Sequence, residues 1–173
     1  MPGALYQYLS DDHDRLDDLL RRAEAKPGVI DMEPYAEFRK GILRHIGMEE
    51  KIVLPTIARI QSGRQAAVAE RLRLDHGAIV ALLVPPPTAS IVATIRSILR
   101  VHNALEEQEG GLYQLFEQLA KSDADIVLEK LKSAPEVPVL PHNERPEVLE
   151  ATRRAVVRAG YEFKDMPIRP AEK

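Results

Sequence analysis

The sequence predicts an all-α protein: an up-down-up-down antiparallel four-helix bundle with a C-terminal helical extension. Two observations predict it. Apolar residues recur at spacings of three and four in four successive stretches, each closed by a Pro or Gly signal. The second and fourth stretches also share a pattern, Leu43-Arg44-His45-Ile46-Gly47-Met48-Glu49-Glu50 and Arg100-Val101-His102-Asn103-Ala104-Leu105-Glu106-Glu107. Each is preceded by a stretch that carries Asp-His ahead of an apolar stripe, at Asp12-His13 and Asp75-His76. A helix pair is written twice.

The first helix is predicted over residues 10–26, with Ser10 as its N-cap and His13, Leu16, Leu20 and Ala23 on its buried stripe. Pro27-Gly28 closes it. The second runs from Glu33-Pro34 to about Gln61, with Phe38, Ile42, His45, Glu49 and Ile52 along one side; Pro55 should kink it beyond Glu49. Ser62-Gly63 ends it. The third, over 64–84, carries Val68, Leu72, His76, Ile79 and Leu83 and stops at Pro85-Pro86-Pro87. Thr88 caps the fourth, with Ile91, Ile95, Ile98, His102, Leu105 and Glu106, and Gly110-Gly111 weaken it past the last Glu. Residues 1–121 form the expected bundle and 122–173 the extension. In the extension a short amphipathic helix over 122–132 precedes a proline-rich stretch, and a second helix over 146–159 ends at Gly160. Val148, Leu149, Thr152, Ala155, Val156 and Ala159 give that helix an apolar face, suited to packing on the bundle or on a second copy of the chain as a homodimer.

Composition narrows the function classes. The 173 residues are 45% apolar and 29% charged, as in an ordinary globular domain. A net charge of -3 and a pI near 6.0 supply no basic field for nucleic acid or an anionic membrane. No apolar run is long enough to span a bilayer and no signal peptide is evident, so a cytoplasmic location is expected. The chain has no cysteine, so any metal site must be built from imidazole and carboxylate.

Residues four apart stack on one helix face, so His45 with Glu49, and His102 with Glu106, each pair an imidazole with a carboxylate. In an up-down-up-down bundle, residues at one height lie equally far from the turn between their helices. The midpoint of His13 and His45 is residue 29; that of His45 and His76 falls between Ile60 and Gln61; that of His76 and His102 is Ala89. All three lie within about three residues of a break signal, about one helical turn of vertical error. Four imidazoles and two carboxylates thus converge on one layer, a costly burial unless a cation compensates it. The candidate metal ligands are His13, His45, Glu49, His76, His102 and Glu106, with Glu107 as the alternative to Glu106. Asp12 and Asp75 precede a ligand and are read as helix-surface charge, and His142 as a surface residue. The ligand types suit Fe, Mn or Zn. No set of catalytic side chains stands out: a His-Glu-x-x-His motif, a Gly-rich phosphate loop and a nucleophile context are all lacking, and the His-x-x-x-Glu order differs from the ferritin-like Glu-x-x-His.

The arrangement His13, His45-x-x-x-Glu49, His76, His102-x-x-x-Glu106 resembles the hemerythrin-like, or HHE cation-binding, family over about residues 5–120. The resemblance implies two non-haem irons with a bridging oxo or hydroxo, His13 and His45 on one metal, His76 and His102 on the other, and Glu49 and Glu106 bridging. Oxygen-carrying members have a further His where this chain has Val80, and an Asp where it has Glu107. With four histidines the site is more similar to the di-iron domain of iron–sulfur-cluster repair proteins, without their cysteine-bearing extension. The implied function is binding of, or reaction with, O2, a peroxide or NO, in sensing, scavenging or iron handling. A different class of function, a helical interaction module with a structural metal such as zinc, is the alternative.

Overall fold

A computed structural model describes residues 2–59 and 63–163, and the described chain is helical throughout its regular structure. The helices are α1 (Ala4–Ala23), α2 (Met32–Met48), α3 (Leu54–Ile57), α4 (Gly63–Leu82), α5 (Ala89–Glu107), α6 (Leu112–Ala120), α7 (Ala124–Lys132) and α8 (Pro146–Arg158). No helix is long and apolar enough to cross a membrane among the described residues. The expected helix end at Gln61 and the break at Ser62 lie outside the described residues, as does the chain beyond Phe163.

Helix α1 begins six residues before the Ser10 cap that local sequence suggests. Ser10 is internal, its hydroxyl donating to the Gln7 carbonyl, because Leu5 and Leu9 extend the buried stripe of His13, Leu16 and Leu20 backward at helical spacing. The cap is tertiary: the Glu117 carboxylate of α6 accepts from the amides of Leu5 and Tyr6, both at 2.9 Å. Helix α2 has a local cap, Asp31 accepting from the Glu33 amide, and α5 starts at its predicted cap, Thr88 accepting from the Ile91 amide.

The expected kink near Pro55 takes the form of a π-helical turn over Glu49–Val53, joining α2 to α3. Pro55 lacks an N–H and cannot continue a regular ladder, and the wider turn absorbs the break. It begins at Glu49. Gly110-Gly111 do more than weaken α5: Gly110 adopts φ +73° and α5 ends at Glu107. A Cβ on Gly111 would lie 2.6 Å from the Glu106 carbonyl oxygen, so only glycine lets the chain double back this closely into α6.

Two apolar clusters flank a polar layer. Leu16, Ile42, Ile46, Ile79 and Ile98 belong to one, and Leu5, Leu9, Met48, Leu72, Leu112 and Tyr113 to the other. Along α1 the chain passes from Leu9 through His13 to Leu16; along α2 it passes from Ile42 through His45 to Met48, in the reverse order of clusters. Helix α4 repeats the first order, from Leu72 through His76 to Ile79, and α5 the second. Helix α1 packs along α2 and against α6 and α7, while α4 packs against α5 and α8. On α8, Thr152, Val156 and the following Ala159 are buried; the Thr152 hydroxyl donates to the Ala81 carbonyl at 3.0 Å, and Arg71 donates to the Ala159 carbonyl at 2.7 Å.

Candidate metal centre

The layer between the clusters holds all six candidate ligands. Glu49 and Glu106 are fully buried, and His13, His45, His76 and His102 are at most 5% exposed. The rings pair off, His13 with His45 at a centroid distance of 4.5 Å and His76 with His102 at 4.9 Å. Each carboxylate reaches both pairs. Glu49 Oε1 lies 3.3 Å from His45 Nε2, while its Oε2 lies 3.0 Å from His76 Nε2 and 3.8 Å from His102 Nε2. Glu106 Oε2 lies 3.5 Å from His13 Nε2, and its Oε1 3.3 Å from His102 Nε2. The donor atoms form two groups, Glu49, His76, His102 and Glu106 in one and His13, His45 and Glu49 in the other, with the atoms of each group within 4.8 Å of one another.

Each imidazole turns its Nδ1 outward to a carboxylate of its own. His13 meets Glu107 at 2.5 Å, His45 meets Asp12 at 2.8 Å, His76 meets Glu50 at 2.7 Å, and His102 lies 3.5 Å from Asp75. The outer set repeats with the sequence: the acid before each lone His serves the His of the neighbouring His-x-x-x-Glu, and the acid after each Glu serves a lone His. These contacts fix the ring orientation and leave Nε2 facing the centre. Asp12 and Asp75 are therefore not surface charge: Asp75 is fully buried, with Arg71 Nη2 3.1 Å away. His142 is half-buried, stacked 6.2 Å from Tyr35, not at the surface. Glu107 takes the outer position and Glu106 the inner one.

The electrostatics are those of a site short of positive charge. Glu106 is held above the usual carboxylate range by burial and by the Glu49 charge. Burial alone would also raise Glu49, but the charge of His45 and the neighbouring imidazoles of His102 and His76 hold it well below that range. Burial opposes charge on His45, yet Glu49 and Asp12 together push it up to about 10; His76 and His102 are also raised against burial, chiefly by Glu49 and Glu106 respectively. In the metal-free chain, protons supply the compensation. They do so incompletely, because the buried Glu106 Oε1 has no hydrogen-bond donor. Inward-facing Nε2 atoms, carboxylates spanning two imidazole pairs, and an orphaned buried oxygen together form a donor set that fits two cations.

Sequence reasoning missed one residue at the centre. Tyr113 of α6 is fully buried, and its hydroxyl donates to Glu49 Oε1 at 2.6 Å. The same oxygen lies 3.1 Å from His13 Nε2, 3.2 Å from His45 Nε2 and 3.2 Å from Glu106 Oε2. Its local sequence reads as an amphipathic helix, so only the glycine break before it hinted that the chain might return. The outer acids did carry a signal, the duplicated Asp-His and Glu-Glu pairs.

A 660 Å³ cleft between α1 and α5 reaches the layer at His13 and Glu107, and is lined further out by Asp14, Asp17, Arg96 and Arg100. Comparison with known proteins agrees with the chemistry of the layer. The profile of the hemerythrin HHE cation binding domain matches residues 4–110. No curated protein and no solved structure matches significantly.

Proposed function

The chain belongs to the hemerythrin HHE cation-binding domain family, and on that premise we propose that it holds two metal ions, iron in our reading, and binds or reacts with O2, a peroxide or NO. One observation carries the proposal: Glu49 and Glu106 each direct one oxygen to the His13–His45 pair and the other to the His76–His102 pair. A carboxylate in that pose would bridge two ions held by the imidazole pairs. His13 and His45 would hold one ion, His76 and His102 the other. When bound, such a pair supplies redox chemistry and open coordination positions for a small ligand.

The protein's own groups define what can reach the site. Leu16, Ile79 and Ile98 on one side and Leu9, Met48 and Leu72 on the other exclude bulk water from the layer. The partly exposed Glu107 joins His13 to the cleft between α1 and α5. No large organic molecule fits the packed layer, which favours a diatomic or peroxide ligand. The alternating order of clusters along α1, α2, α4 and α5 supports an up-down-up-down arrangement of these four helices. We assign residues 1–121 to that bundle and 122–173 to an appended segment, in a cytoplasmic protein.

The test is elemental analysis of protein purified from iron-supplemented cells, with visible spectra before and after reduction. Two irons per chain and charge-transfer bands that change on reduction are expected. Zinc, or featureless spectra that persist after iron reconstitution, would contradict the proposal, because zinc has no redox chemistry.

A further inference from the structure

We propose that Tyr113 is a direct ligand of the ion held by His13 and His45, binding as a phenolate; this rests on the two-ion reading above. The phenol oxygen stands within 3.2 Å of four candidate ligand atoms, His13 Nε2, His45 Nε2, Glu49 Oε1 and Glu106 Oε2. A hydroxyl owns one proton and can donate one hydrogen bond, here to Glu49. Glu49 takes that proton, so the approaches to His13 Nε2, His45 Nε2 and Glu106 Oε2 need protons on those groups in the metal-free chain, and a cation shared with the phenol oxygen would replace them in this buried layer.

The side chain is also held in place. Its ring stacks 5.6 Å from His13 and meets Tyr6 edge-on at 6.0 Å, while Leu112 and Phe116 on the same short helix are buried in the adjoining cluster. The Gly110-Gly111 reversal has a specific result: it brings residue 113 back to a layer that α5 left at Glu106. On the His76–His102 side the tyrosine nearby is Tyr161, which interacts with the outer acid Asp75 and not with an inward-facing ligand atom. With Tyr113 bound, the centre would be unequal, with five protein donors on the His13–His45 side and four on the His76–His102 side.

Coordination exchanges the phenol O–H bond for an oxygen–metal bond, and the displaced proton passes to solvent. Zinc is the cleanest probe because it is colourless. Wild type and Tyr113→Phe are titrated with zinc at neutral pH while bound metal, the ultraviolet tyrosinate difference band and released protons are recorded. Two ions per chain with a tyrosinate band, absent from the variant, and about one more proton released by wild type, are expected. In iron-loaded protein, resonance Raman phenolate modes that shift on ring deuteration of tyrosine and vanish in Tyr113→Phe are the second readout. Two bound ions with neither signature would overturn the ligand assignment alone. Failure of wild type to bind metal would overturn it together with the reading it rests on.

Discussion

At the scale of single residues, the centre is governed by where protons sit when no metal is bound. His45 faces Asp12 from α1, Glu49 from its own helix, the Tyr113 hydroxyl from α6 and the His13 ring. The two carboxylates raise it to about 10 against the opposing effect of burial. A histidine whose folded pKa is raised contributes stability that is complete below its unfolded value, near 6.5, and is lost as pH climbs through the folded value. His76 and His102 act in the same sense. Chelator-treated protein should therefore lose stability steadily between pH 6.5 and about 10, read as a falling urea midpoint. A flat or rising midpoint over that window would show that the imidazoles are not charged in the metal-free fold. The same residues explain why the convergence of the six candidate ligands was legible in the sequence while the partner of each outer acid was not. His45 and Glu49 announce themselves by a four-residue spacing, whereas Asp12 serves a histidine on another helix, a relation that no periodicity within one segment encodes.

Among the elements, α1 is placed by a contact from far along the chain. Its first amides are capped by Glu117, and Gly3 leaves the room: a Cβ there would fall 2.2 Å from the Glu117 carboxyl carbon. Gly3 has φ -80° and extended ψ, so the constraint is space and not backbone strain. Glu117→Ala should cost about 1 kcal/mol, the usual worth of a side-chain cap, and Gly3→Ala should cost a similar amount by displacing the carboxylate. In the double variant the Gly3→Ala penalty should vanish, because the group it obstructs is gone. Urea denaturation measures all three, and additive losses would contradict the shared-cap account. This contact is also why the helix start was misjudged: Ser10 is a good local cap, and Glu117 lies more than one hundred residues away. Thr88, by contrast, caps its own helix and was read correctly. Pro55 was legible as a disturbance but not as a π turn, since proline specifies a missing N–H and not how the chain closes over the gap.

Over the whole molecule, the duplicated helix pair produces a duplicated electrostatic plan. Two His-x-x-x-Glu segments and two lone histidines meet in one layer, each imidazole with an outer carboxylate from another helix, within a pair for His45 and His102 and across the pairs for His13 and His76, and apolar clusters seal both sides. The convergence was legible because the turn signals stand midway between successive histidines. Tyr113 was not, because it lies outside the repeat and enters through a reversal whose direction glycine permits but does not dictate. The duplication leaves Tyr113 as an unmatched element in the layer. The central claim, that Glu49 and Glu106 bridge two ions, is tested most directly by anomalous scattering at the iron edge from crystals of iron-loaded protein. The account predicts two peaks in each chain, about 3.5–4 Å apart, both within the layer, one beside His13 and His45 and the other beside His76 and His102. A single peak, or metal held away from the two carboxylates, would contradict it.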